Sequence, residues 1–162
     1  MKMKKNNNKL ILILFIGVAL SSFQNRYSKN EPQKEFDVTH SKEELKLHRI
    51  LNEYRAQNGL TEVPLSNSLS YVAQQHCIDL HKNKPDLDSA CNIHSWSSYG
   101  NWTSCCYTDN HEEAECMWNK PSELTNYDGY GFEIAMGDSD SIYNGFIMTA
   151  DYSLKWWKSS FH

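Results

Sequence analysis

"SKEELKLHRILNEYRAQNGL", Ser41 to Leu60, sets how the rest of the chain is read. Ser41 stands three residues before Glu44, the spacing of a capping box in which each side chain satisfies the other residue's backbone amide at a helix start. Leu47, Ile50, Leu51 and Tyr54 follow at i, i+3, i+4 and i+7, and Gly59 falls where a left-handed residue closes a helix. The stretch predicts an amphipathic helix with one face to bury. A second helix is predicted from Ser66, just after Pro64, to residues 82–85, with Leu69, Val72, Ala73, His76 and Leu80 on a shared face.

Ahead of this pair the chain opens "MKMKKNNNKLILILFIGVALSSFQN": four lysines, an apolar run from Leu10 to Leu20, then small and polar residues. That is the layout of a secretory signal peptide, expected over residues 1–24. The run is shorter than the roughly 20 residues that span a bilayer core, so no stable membrane span is expected after cleavage. Removing residues 1–24, which hold four lysines and no acid, moves the formal charge from −4 to −8. An acidic exported protein with no basic stripe excludes nucleic acid as the expected partner. The expected location is secreted, periplasmic or at the cell surface. Residues 25–40, "NRYSKNEPQKEFDVTH", are polar with little apolar periodicity and are expected to form a flexible lead-in.

After the second helix, residues 86–128 lose periodicity and fill with aromatics, asparagines and cysteines. A connection of that length in a compact domain is functional or covalently tied. "CCYTDNHEEAEC", Cys105 to Cys116, has spacing that could suit zinc. Behind a signal peptide, however, oxidation is the default state of cysteine. Cys105 and Cys106 are neighbours, about 3.8 Å apart at Cα and too close for an unstrained bond with each other. Cys91 and Cys116 are then expected each to pair with one of Cys105 or Cys106, in either of two arrangements. Cys77, left over, reads as a small packed thiol on the second helix. "GYGFEIA" predicts a short strand-like segment ending at Ala135, and Thr149 can cap a last helix with Ala150, Leu154 and Trp157 on one face.

These pieces resemble the CAP superfamily, also called the SCP-like domain, of cysteine-rich secretory, antigen 5 and pathogenesis-related proteins. "LNEYRAQNGL" followed by "VPLSNSLSYVAQQHCIDL" is similar to the family's two opening helices, and "HSWS" at His94 to its first cavity histidine. "GFEIA" is similar to its Gly-Glu-Asn-Ile-Ala segment, with Glu133 in the acid position, and "WWKSSFH" to its bacterial Trp-x-x-Ser-Pro-Gly-His motif, with Trp156, Ser159 and His162 matching. Here Ser160 and Phe161 replace Pro-Gly, and the cysteine-rich insertion is absent from most members.

The resemblance implies an α/β fold, an α-β-α sandwich over residues 41–162, with a disulfide-stapled insertion and without the last strands that follow the second histidine in the family. It also implies that His94, Glu133 and His162 share one cavity. Two imidazoles and a carboxylate suit a divalent cation such as zinc, with an open position for water. The function implied is an extracellular module that binds a protein, lipid or glycan. A metal-assisted hydrolase of peptides or cell-wall material is the alternative, since metal-bound water is a competent nucleophile. Ser95 beside His94 does not read as a nucleophile, because adjacent residues rarely present side chains to each other. Outside that trio, His76 reads as packed, His81 and His111 as solvent-facing, and the tryptophans as core and loop packing.

Overall fold

The computed structural model of the chain describes residues 12–17, 38–87, 90–137 and 148–160. The expected leader lies outside these except at Leu12–Gly17, as do most of the expected lead-in and His162.

The first helix, α1 (Lys42–Gln57), starts as its sequence dictates. Glu44 N donates to Ser41 Oγ at 3.2 Å and Ser41 N donates back to Glu44 Oε2 at 2.5 Å. Gly59 follows the helix at φ +71°, a left-handed conformation in which a Cβ is strained, and its amide donates to Ala56 O. The second helix, α2 (Asn67–Asn83), begins where Leu69 N donates to the Ser66 hydroxyl and ends at Lys84 in the left-handed region. Asn52 of α1 is buried and pins the connection between the two helices. Its side chain accepts from Val63 N and donates to Val63 O, both at 2.9 Å, as a neighbouring strand would. Thr39 and His40 are tied to α2 through bonds to Gln74 and Ser70.

Two short helices, α3 (Ala114–Trp118) and α4 (Lys120–Leu124), lie in the long stretch that carries no periodicity. The strand β2 (Gly131–Met136) pairs antiparallel with β1 (Leu12–Gly17), Gly17 opposite Gly131 and Leu12 opposite Met136. Residues Leu12–Gly17 of the apolar run expected to act as a leader therefore form a strand lying along β2. The last helix, α5 (Ala150–Ser160), packs on α1, and the two are joined by the Lys46–Asp151 ion pair and by Ala150 N donating to Glu43. Thr149 caps it through Tyr152 N at 3.3 Å.

Two cores result. Leu47, Met148, Ala150 and Trp157 fill one between α1 and α5, with Ile134 and Met136 of β2 against it. Leu69, Val72, Leu80, Trp96 and Met117 belong to the other, around α2, with Ala135 of β2 packed on it. Alternate residues of β2 thus serve different cores, as the period of two along a strand requires. Among the described residues no helix is long and apolar enough to cross a membrane.

Two disulfides tie the irregular stretch, Cys91–Cys106 and Cys105–Cys116, with Cα separations of 4.9 and 6.2 Å. This is one of the two expected arrangements, and Cys77 takes part in neither bond. Backbone pairing explains the choice. Asn92 N donates to Tyr107 O, and Trp96 and Cys105 exchange both backbone bonds, so Cys91 and Cys106 face each other across an antiparallel turn of chain. Lys120 is wholly buried beneath this stretch. Its ammonium donates to Thr103 O and Glu123 Oε2, both at 2.6 Å, and sits 5.5 Å from the centre of the Trp96 ring.

Candidate functional site

The site is built where α2, the segment 92–97 and β2 meet. Helical spacing brings His76, Asp79 and Asn83 along one side of α2, and the first two grip the segment that follows. His76 Nε2 lies 2.9 Å from Ser95 O. Asp79, buried, accepts from Ser97 N at 2.7 Å and from Ser97 Oγ at 2.5 Å, with Asn83 donating to the same carboxylate. The His76 ring stacks on Trp96, centroids 4.2 Å apart and planes 10° from parallel. Anchored this way, the segment projects His94 toward β2.

Alternation along β2 turns Glu133 inward, where its side chain is fully buried. One oxygen lies 2.5 Å from His76 Nδ1 and the other 2.8 Å from His94 Nδ1. Burial opposes the charge on Glu133, but the charge and hydrogen bond of His76, then those of His94, outweigh it and hold the carboxyl below its ordinary value. Both partners of His76, a carboxylate and a carbonyl, are hydrogen-bond acceptors.

His94 keeps a quarter of its side chain exposed and borders a cavity of about 580 Å³, together with Asn92, Tyr107, His111, Trp118 and Phe132 among others. Tyr107 is buried, its hydroxyl 2.9 Å from His111 Nδ1, and its ring sits between those of His94 and His111 at 5.3 and 5.6 Å. Burial first, and the negative Glu133 second, raise the Tyr107 hydroxyl above its ordinary value and keep it a phenol. Ser95 is enclosed, and its hydroxyl is occupied by the backbone of Tyr107, which donates to it at 2.9 Å. It offers no nucleophile.

Of the three residues expected to share the cavity, His94 and Glu133 meet there, 39 positions apart in sequence, while His162 lies outside the described residues. His76, read as packed, is packed and is also a direct partner of Glu133. His111, read as solvent-facing, is exposed yet held against Tyr107. A histidine inside an otherwise apolar helical stripe, followed by Asp79 at the next turn, is the signal that marks His76. Nothing periodic marks Tyr107 or His111, because the disulfides and not a regular element set their positions. Among the described residues, no group of three or more histidine, cysteine, aspartate or glutamate side chains is arranged to hold a metal ion.

No protein-family model, curated protein or solved structure matches the chain.

Proposed function

We propose that the chain is an exported CAP/SCP-like domain acting outside the cytoplasm as a binding module, with a His94/Glu133 cleft that takes a divalent cation. The observation that carries this reading is the 2.8 Å contact between His94 and Glu133 beside the cavity. These are two residues that the family resemblance assigns to one site.

A metal-binding histidine characteristically gives one ring nitrogen to a carboxylate and keeps the other for the cation. His94 has that arrangement, with Nδ1 on Glu133 and Nε2 without a hydrogen-bond partner among the described residues. Glu133, both of whose oxygens rest on imidazoles, holds His94 in tautomer and orientation instead of touching the cation, and His162 is the remaining ligand candidate. A bound cation would supply a Lewis-acidic centre on the cavity wall. The two disulfides and the apolar run at the N-terminus support an extracytoplasmic location.

Calorimetric titration of zinc into the oxidised, full-length chain tests the cation. Binding heat is expected in the parent and is expected to vanish in His94→Ala. Equal heats in the two proteins would overturn it.

A further inference from the structure

The two disulfides are held in different ways. Cys91 and Cys106 face each other where Asn92 N donates to Tyr107 O and where Trp96 and Cys105 exchange backbone bonds, so main-chain pairing keeps them together whether or not their sulfurs are joined. Between Cys105 and Cys116 the chain is a run of turns ending in the five-residue α3. His111 in that run sits at φ +62°, a left-handed conformation that its Cβ disfavours. The closed loop keeps a conformation that an open one has no reason to keep.

The same loop is a wall of the cavity. Tyr107, His111 and Ala114 lie between the two cysteines, Met117 and Trp118 directly after the second, and all of them line the space. With this bond open, α3 would rest on the burial of Ala114 and Met117 alone, and five residues do not persist as a helix unaided.

The surroundings of Cys116 favour its departure as a thiolate. Its Sγ lies 3.9 Å from Thr103 O, the oxygen to which the Lys120 ammonium donates at 2.6 Å, so the sulfur and the ammonium are no farther apart than those two distances laid end to end. Cys116 and Lys120 also border one hollow of about 340 Å³. A cation beside a thiolate stabilises it, and a more stable thiolate leaves faster in thiol–disulfide exchange. Glu123 pairs with the same ammonium and takes up part of its field. Glu113 and Glu115 stand in solvent that screens them, whereas Lys120 is wholly buried and its charge acts with little screening.

We propose that Cys105–Cys116 is an exchangeable bond through which a dithiol reductant opens the cavity wall, with Cys116 the leaving sulfur, received by Lys120. One thiolate of the dithiol attacks Cys105 Sγ, the bond to Cys116 breaks, and its electron pair leaves on Cys116. The second thiolate of the dithiol then attacks the first sulfur, and Cys105 leaves in turn. The dithiol ends as a disulfide, two electrons poorer; Cys105 and Cys116 end as thiols, carrying the two protons that the dithiol gave up. The cation takes no part, so this inference and the zinc reading fail independently.

Treatment of the oxidised full-length chain with limiting dithiothreitol, followed by acid quenching, alkylation and peptide mapping, tests it. Cys105–Cys116 is expected to open about tenfold faster than Cys91–Cys106; equal rates or the reverse order overturn the proposal. A brief exposure to β-mercaptoethanol traps the first step, with the adduct expected on Cys105 and the free thiol on Cys116, and an adduct on Cys116 instead overturns the assignment. Lys120→Met is expected to slow this opening about threefold and to leave the Cys91–Cys106 rate as it was, and an unchanged rate removes Lys120 from the mechanism. The first two measurements use the parent chain and stand whether or not that buried variant folds. In the protein opened at Cys105–Cys116 and alkylated, hydrogen exchange is expected to quicken over residues 107–118 while α1 and α2 stay protected. Unchanged protection over 107–118, or its loss throughout the chain, overturns the opening of the wall.

Discussion

Glu133 is the residue on which the two halves of the site depend. It is a buried carboxylate whose oxygens are each taken by an imidazole, and the one on the α2 side, His76, is itself buried. A paired charge in such a place is tolerated, whereas a charge left alone there is not. His76→Phe, which keeps a flat ring against Trp96 but removes the partner, is expected to lower unfolding stability by about 3–5 kcal/mol in urea titrations. Adding Glu133→Leu to that variant removes the stranded charge and is expected to restore much of the loss. A double variant as unstable as the single one would refute the explanation. At this scale the sequence is half transparent. Motifs expose His94 and Glu133 because neither has another role to play locally. His76 occupies a core position of an amphipathic helix, so its packing role conceals its polar one until β2 is seen to pass beside it.

Elements differ in where their stability comes from. α1 and α2 carry their own signals, a cap at the start and a left-handed stop at the end, and both are read from sequence to within a residue or two. Ser41→Ala is expected to cost about 1 kcal/mol in thermal melts through loss of the capping box. α3 and α4 have five residues each, far below the length at which a helix persists alone. They exist because Ala114 and Met117 enter the core and because Cys116 is bonded to Cys105, neither of which local spacing announces. Replacing Cys105 and Cys116 together by serine is expected to cost about 2–4 kcal/mol. Peptide mapping of the unreduced protein is expected to recover Cys91 with Cys106 and Cys105 with Cys116. Recovery of the opposite pairing would contradict the antiparallel turn between Asn92 and Tyr107.

Across the whole molecule, β2 is the common member. Its alternate side chains belong to the α1–α5 core and to the α2 core. Four carboxyls spread over this framework, Glu44, Glu123, Glu133 and Asp151, have values lowered by folding. In the first three burial opposes ionisation and is outweighed by partners, Gln74, Lys120 and His76 respectively. In Asp151 the bond from Lys46 is the main cause. Groups lowered on folding stabilise the native state above their ordinary values, 4.5 for glutamate and 3.8 for aspartate, and that stability is lost as pH falls through the lower folded values. The melting temperature is therefore expected to hold from pH 7 to about 5 and to decline steeply below 4.5. A melting temperature unchanged down to pH 3 would show that these groups are not coupled to folding. Among the described residues β2 pairs with one strand, β1, more than a hundred positions away in sequence, and a pairing between segments that distant is not legible in any single stretch.

Lys120 makes the molecule report on its own opening. Acylating reagents attack an amine that is both neutral and reachable, and this one is enclosed under Trp96 with its hydrogens held by Thr103 and Glu123. Lys42, Lys82, Lys84, Lys155 and Lys158 stand in solvent. In a brief pulse of acetylating reagent those five would be marked at once, and Lys120 only in the fraction of chains whose cysteine-tied stretch has come away from α2. The ratio of its label to theirs is a clock for that motion, readable by mass spectrometry.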